Sequence, residues 1–229
     1  MPRRPRSHLP TSYFHVMNRA IRKTPLFTRS RDYRAFLRLL GEGLGRHPVR
    51  LVAYCILSNH WHLVVGPAYP TELSKLMHWV TATHAMHWHR RRKTVGQGPV
   101  YQGRFRSVVL ETLDDLLRAT RYVERNGLEA GLVKRAQDWP WCSLSERLRP
   151  TAPIELVTEP FLTSPAWIDY VNAPRTPAER LSEGVRPGTK RAGSVENRPV
   201  PTRAPVATGA LGFGDDLAEQ PGGLAGVAK

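Results

Sequence analysis

The sequence predicts an α+β fold, an antiparallel sheet with helices packed on one face. Two observations carry that prediction. Periodicity along the chain runs strand, helix, strand, strand, helix, strand, helix, and only a Ser-Asn turn joins the middle two strands. From about Pro174 the composition then shifts to Pro, Gly, Ala and Arg with few large apolar residues, so 174–229 reads as a tail that cannot build a core.

Each element has its own signal. Tyr13 to Asn18 (YFHVMN) reads as a short strand. Arg31 to Leu40 carries apolar residues at helical spacing, and Gly41, Gly43 and Gly45 punctuate its end. Leu51 to Leu57 is apolar on both faces and rich in strand formers, which suits a central strand. Ser58-Asn59 is turn-prone, and HWHLVV from His60 follows as the second arm of a hairpin. Thr71 to Lys93 reads as a long helix with Leu73, Leu76, Met77 and Val80 toward the core, ending in Arg90-Arg91-Arg92-Lys93. A strand near Phe105 to Glu111 comes next. Thr112 and Asp115 then form a capping pair for a helix from Leu113 to Arg125, stopped by Asn126-Gly127.

Charge narrows the class of function. The 229 residues hold 34 Lys and Arg against 19 Asp and Glu, a formal +15. Such an excess favours a polyanion, because each phosphate neutralised releases condensed counterions. No apolar run long enough to span a membrane is present, and MPRRPRSHLP at the start lacks a signal peptide's apolar core. Cys55 and Cys142 lack metal spacing, and a reduced cytoplasmic setting is expected. Nucleic acid is the indicated partner.

His60 and His62 raise the chemical question. Two apart in a strand, they project from one face while Trp61, Leu63 and Val65 project from the other. Side-by-side imidazoles fill a core poorly, since each has a nitrogen that needs a partner, but they present two metal ligands well. The alternative is a polar pair on a wet sheet face. On the following helix, Leu113, Leu116, Leu117, Thr120 and Val123 form the apolar stripe, and Tyr122 falls about half a turn away with Asp115 and Arg118. Asn126 lies one turn beyond Tyr122. Core packing does not explain that tyrosine, and a surface role is its alternative. His78, His84, His87 and His89 crowd the long helix, with His84 and His87 continuing its stripe, and read as hydrogen-bonded helical histidines or groups near nucleic acid. Trp61 is assigned to packing.

Several segments together resemble one family. His60-Trp61-His62 resembles the histidine–hydrophobe–histidine motif of HUH single-strand nucleases, and Tyr122 with Asn126 resembles the nucleophile and helical amide ligand of their single-tyrosine transposases. Within that superfamily the chain is similar to the REP-associated tyrosine transposases. His15 to Arg19 looks like the family's first strand, and Arg90 to Ser107 with YQGRF looks like its arginine turn and following strand. NGLEAGLV from Asn126 and WPWCS from Trp139 resemble the two motifs that follow. Gly127, Leu128 and Glu129 stand where Pro-Val-Arg is usual, and Ala20 where glycine is common.

The resemblance covers about residues 11–148 and implies a ferredoxin-like sheet of the HUH type. It divides the chain into a basic arm at 1–10, the catalytic domain at 11–148, an extension at 149–173 and the tail at 174–229. It implies a metal-dependent endonuclease and strand transferase in which Tyr122 attacks single-stranded or hairpin DNA and forms a 5′-phosphotyrosine. His60, His62 and Asn126 are the implied ligands of Mg²⁺ or Mn²⁺, with zinc as the rival ion. Arg90, Arg91, Arg92, Lys93, Arg104, Arg106 and Arg118 are candidate phosphate contacts, each with a solvated surface charge as its alternative. A nucleoid-associated monomer is expected, with a homodimer as the other option. A hairpin binder without chemistry, and a metal-dependent hydrolase using water, are the competing functions.

Overall fold

The computed structural model describes residues 13–176, so the basic arm and nearly all of the tail lie outside the described residues. The elements are β1 (Tyr13–Arg19), α1 (Ser30–Arg46), β2 (Val49–Ile56), β3 (His60–Pro67), α2 (Pro70–Arg92), β4 (Arg106–Leu110), α3 (Leu113–Glu129), α4 (Ser143–Leu148) and α5 (Pro165–Asn172). The four strands form one antiparallel sheet in the order β2-β3-β1-β4. The α+β class and the ferredoxin-like strand order are as expected.

Helices cover both faces of the sheet, which corrects the expectation of one. Phe14, Val16, Leu51, Tyr54, Ile56, Trp61, Leu63 and Val65 point to a core completed by α1 and α2. Ala53, Cys55 and Val64 point the other way, into a second core with Val123 of α3, Leu144 of α4 and Trp167 and Val171 of α5. The physical reason was present in β2 and β3: a strand apolar on both faces needs cover on both. Trp61 is fully buried in the first core, its indole N–H donating to Tyr101 Oη at 3.2 Å.

Two helices outrun the stops read for them, and both glycines involved are close-packing points. α1 continues through Gly43, where a Cβ would lie 2.8 Å from Leu76 Cδ1 of α2. α3 continues through Gly127, where a Cβ would lie 2.7 Å from the Trp139 ring. The true stop of α3 is Gly131 at φ +70°, with Leu132 N–H donating to Gly127 O and Gly131 N–H to Leu128 O, each at 3.0 Å. Its start is as read, with Asp115 N–H donating to Thr112 Oγ1 at 3.0 Å and Thr112 N–H to Asp115 Oδ2 at 3.2 Å.

A buried polar network seats α3. The Glu124 carboxylate has no solvent exposure and accepts from Ser143 Oγ at 2.8 Å, from Trp167 Nε1 at 2.8 Å and from the Arg147 guanidinium. The last carbonyls of α5 lack intrahelical donors. Arg121 supplies them from α3, to Tyr170 O and Ala173 O at 2.8 Å, and Arg125 does so to Val171 O at 2.7 Å and Asn172 O at 2.8 Å. Residues 149–173 are thereby fastened to the helix that carries Tyr122.

Glu124→Ala leaves Arg147 buried without its carboxylate, and the expected loss is about 3–5 kcal/mol in urea unfolding. Gly127→Ala is expected to destabilise by about 1–3 kcal/mol despite alanine's higher helix propensity, because the methyl collides with Trp139. A gain in thermal midpoint for Gly127→Ala would contradict that packing.

Candidate active site on the histidine face

Alternation along β1 and β3 builds the site. His60 and His62 share a sheet face with His15, Met17 and Arg19, because Arg19 pairs with His60 and Met17 with His62 in the antiparallel register. Arg106 of β4 pairs with Met17 and joins the same face. Cys55 flanks His62 on the β2 side. The Ser58-Asn59 turn that begins β3 is held from outside the hairpin: Leu26 N–H donates to Ser58 O at 2.7 Å and Ala20 N–H to Asn59 O at 2.8 Å.

α3 lies over this face and brings Tyr122 to the histidines. The Tyr122 ring stands edge-on to His62 at 5.4 Å between centroids and to His15 at 5.5 Å. His60 and His62 are 5.1 Å apart. Asn126 is buried one turn further along α3. The tyrosine read as lying on the helix's polar face is therefore half-buried against the sheet, while Leu113, placed on the apolar stripe, is 54% exposed. Arg175, beyond α5, lies 5.3 Å over the Tyr122 ring and pairs with Glu129 at 3.3 Å.

The imidazoles are hydrogen-bonded in place through one ring nitrogen each. His62 Nδ1 and His15 Nε2 are 3.0 Å apart, one donating and the other accepting. His60 Nδ1–H donates to Asn59 Oδ1 at 2.7 Å, which leaves the lone pair on Nε2. Burial lowers the pKa of His15 to about 4. Burial, with the Arg19 charge added, lowers His60 to about 4, and burial together with His15, His60 and then Arg19 holds His62 well below its ordinary value. Neutral, oriented imidazoles suit a divalent cation. Among the described residues no three His, Cys, Asp or Glu side chains form a metal-binding group, so any ion at His60 and His62 would need an oxygen ligand, and the Asn126 amide is the candidate on α3.

The predicted cations do not gather at one patch. Arg106 is exposed on the histidine face. Arg90, Arg91 and Arg92 end α2 and Lys93 caps it, and α2 packs on the opposite face. Arg91 is paired with the buried Asp32, and Arg92 lies 4.3 Å over the Trp88 ring. Arg118 pairs with Asp114 at 2.8 Å within α3, and Arg104 is exposed before β4. On α2, His84 is buried, bonded to Tyr101 Oη at 2.7 Å and lowered by burial to about 3, while His78 and His87 are exposed. Sequence reasoning missed His15 and Arg19 as members of the site. Period-two alternation in β1 put them on one face, but only the register shows that this face is the histidines' own.

Residues 9–126, more than half of the chain, match the family model described as IS200-like transposase. The chain belongs to the IS200-like transposase family. A solved structure titled as a REP-associated tyrosine transposase bound to a REP hairpin shares the fold of this transposase. It matches at a TM-score of 0.52 and 17% identity, covering 72% of this chain and 94% of that one. The curated proteins yield no match. Among the described residues of this transposase, no helix is long and apolar enough to cross a membrane.

The buried histidines give the transposase a pH signature. Their folded-state pKa values lie below the ordinary 6.5, so their contribution to stability is complete above pH 6.5 and is lost as pH falls toward about 4. Urea midpoints measured between pH 7.5 and 4 should fall through that window, and His15→Phe should flatten the slope. An unchanged midpoint down to pH 4.5 would contradict the burial of neutral imidazoles.

Proposed function

We propose that this IS200-like transposase nicks and rejoins single-stranded DNA, with Tyr122 as nucleophile. The observation that carries the proposal is the meeting of Tyr122 with the strand-borne histidines across the α3–sheet interface, ring to ring at 5.4 Å from His62. Family membership supports DNA transposition as the process. The REP hairpin bound in the similar solved structure makes hairpin DNA the substrate to test first.

The chemistry follows from the residues. Tyr122 Oη attacks the phosphorus of a phosphodiester in line, the bond to the 3′-oxygen breaks, and the products are a 5′-phosphotyrosine and a free 3′-hydroxyl. The phenol gives up its proton and the departing 3′-oxygen gains one, so the exchange is balanced. A covalent ester keeps the bond's energy, and a second 3′-hydroxyl reverses the step without ATP. His60, His62 and Asn126 would hold Mg²⁺ or Mn²⁺, which when bound supplies charge to a non-bridging phosphate oxygen. His15 and Asn59 fix the orientation of His62 and His60 through their Nδ1 atoms. Because α3 packs on the sheet of its own chain, the nucleophile and the histidines come from one protomer, which supports action as a monomer.

The test mixes the full chain with labelled single-stranded hairpins from the flanks of its own gene, with Mg²⁺ or Mn²⁺, and resolves products on a denaturing gel. A protein-linked band is expected, lost in Tyr122→Phe and in EDTA, and reduced at least 100-fold in His60→Ala and His62→Ala. Cleavage that persists in Tyr122→Phe would assign the reaction to water. Tight binding without cleavage would make the protein a hairpin binder.

A further inference from the structure

The geometry points to Arg19 as an anion-binding residue of this site, its guanidinium receiving a backbone phosphate beside His60. That the anion is a phosphate of single-stranded DNA rests on the reading proposed above; that an anion binds there does not.

Arg19 ends β1 directly across from His60 and projects onto the histidine face with His15 and Met17. Its backbone is fixed: the amide donates to Asn18 Oδ1 at 2.9 Å and the carbonyl accepts from Gln102 N–H at 3.0 Å. Its side chain is not satisfied in the same way. Nε is buried with no hydrogen-bond partner, as it is in Arg125, Arg147 and Arg175, but unlike theirs the Arg19 guanidinium makes no carbonyl hydrogen bond or ion pair among the described residues. Every other partly buried arginine of the described residues is committed. Arg147 is bound to Glu124, Arg121 and Arg125 to the carbonyls of α5, Arg92 to Pro25 O and Trp88, and Arg175 to Glu129.

An unpaired, half-buried cation is unfavourable in the free protein. Its placement makes sense if the counter-ion arrives with the ligand. The planar guanidinium offers two parallel donors that match two non-bridging phosphate oxygens. Arg106, exposed on the same face one strand further, supplies a second cation toward the sheet's open edge. The positions leave Arg19 beside the histidines while Tyr122 descends from α3, so a phosphate held at Arg19 is presented to the phenol. Positive charge aimed at a phosphate offsets its repulsion of an attacking oxygen anion.

Three measurements on the full chain test the inference. First, inorganic phosphate is titrated while the Arg19 Nε–H resonance is followed by NMR; a saturable shift is expected, absent in Arg19→Gln. Second, Arg19→Gln should lower the rate of covalent adduct formation about 100- to 1,000-fold, with Arg19→Lys recovering only part. Its thermal midpoint should be unchanged or raised, which a structural arginine would not show. Third, single methylphosphonates walked along the hairpin strand should weaken binding to the wild type several-fold at one phosphate, and that loss should vanish in Arg19→Gln. Equal losses in both proteins, or wild-type cleavage by Arg19→Gln, would overturn the inference while leaving the nuclease reading intact. A saturable phosphate shift without any covalent adduct in the wild type would uphold the anion site and sink the nuclease reading.

Discussion

The buried carboxylate of Glu124 is the constraint on which the rest of the structure hangs. It sits in the middle of α3 with no exposure to water and is satisfied only when α4 brings Ser143 and Arg147 and α5 brings Trp167 to it. A carboxylate left unpaired at that depth is strongly unfavourable, so α3 has one allowed rotation and depth. Tyr122 is two residues away on the same helix, and that rotation aims it at the sheet. The position of the candidate nucleophile is therefore fixed from the far side of its own helix.

The sheet makes a matching arrangement from below. Antiparallel register sets His15 diagonal to His62 and Arg19 opposite His60, and α3 removes the face from bulk water. Desolvation penalises the protonated imidazole, which keeps His15, His60 and His62 neutral at physiological pH. The same enclosure raises the cost of an unpaired guanidinium at Arg19. The candidate site thus combines neutral imidazoles, a phenol and a guanidinium without a partner among the described residues, the set on which the proposed phosphodiester chemistry draws.

The basic character of the chain divides into different physical roles. Arg121, Arg125 and Arg147 are internal ties that close helix ends and balance Glu124. Arg91 does the same for Asp32, whose carboxylate also accepts from the Thr28 and Arg29 amides at the start of α1. Arg106 and Arg104 remain at the surface. A net charge of +15 is thus partly structural, and counting arginines overstates the surface open to a polyanion.

Much was legible in the sequence alone. The strand and helix order, the Thr112–Asp115 cap, the packing role of Trp61 and the common face of His60 and His62 all follow from local rules of period, propensity and turn chemistry. These rules act over a few residues, and in a regular strand the period of two fixes which face a side chain takes; only the irregularity between Leu51 and Ala53 in β2 breaks it. The covering of both sheet faces, the passage of α1 and α3 through Gly43 and Gly127, the docking of 149–173, and the entry of His15 and Arg19 into the site were decided only by tertiary structure. Each depends on a contact between segments far apart in the chain: Leu76 against Gly43, Trp139 against Gly127, α5 against Arg121, β3 against β1. A glycine reads as a stop by itself and as a close contact only when the neighbour is known. An arginine reads as surface charge until its surroundings show whether an acceptor is there.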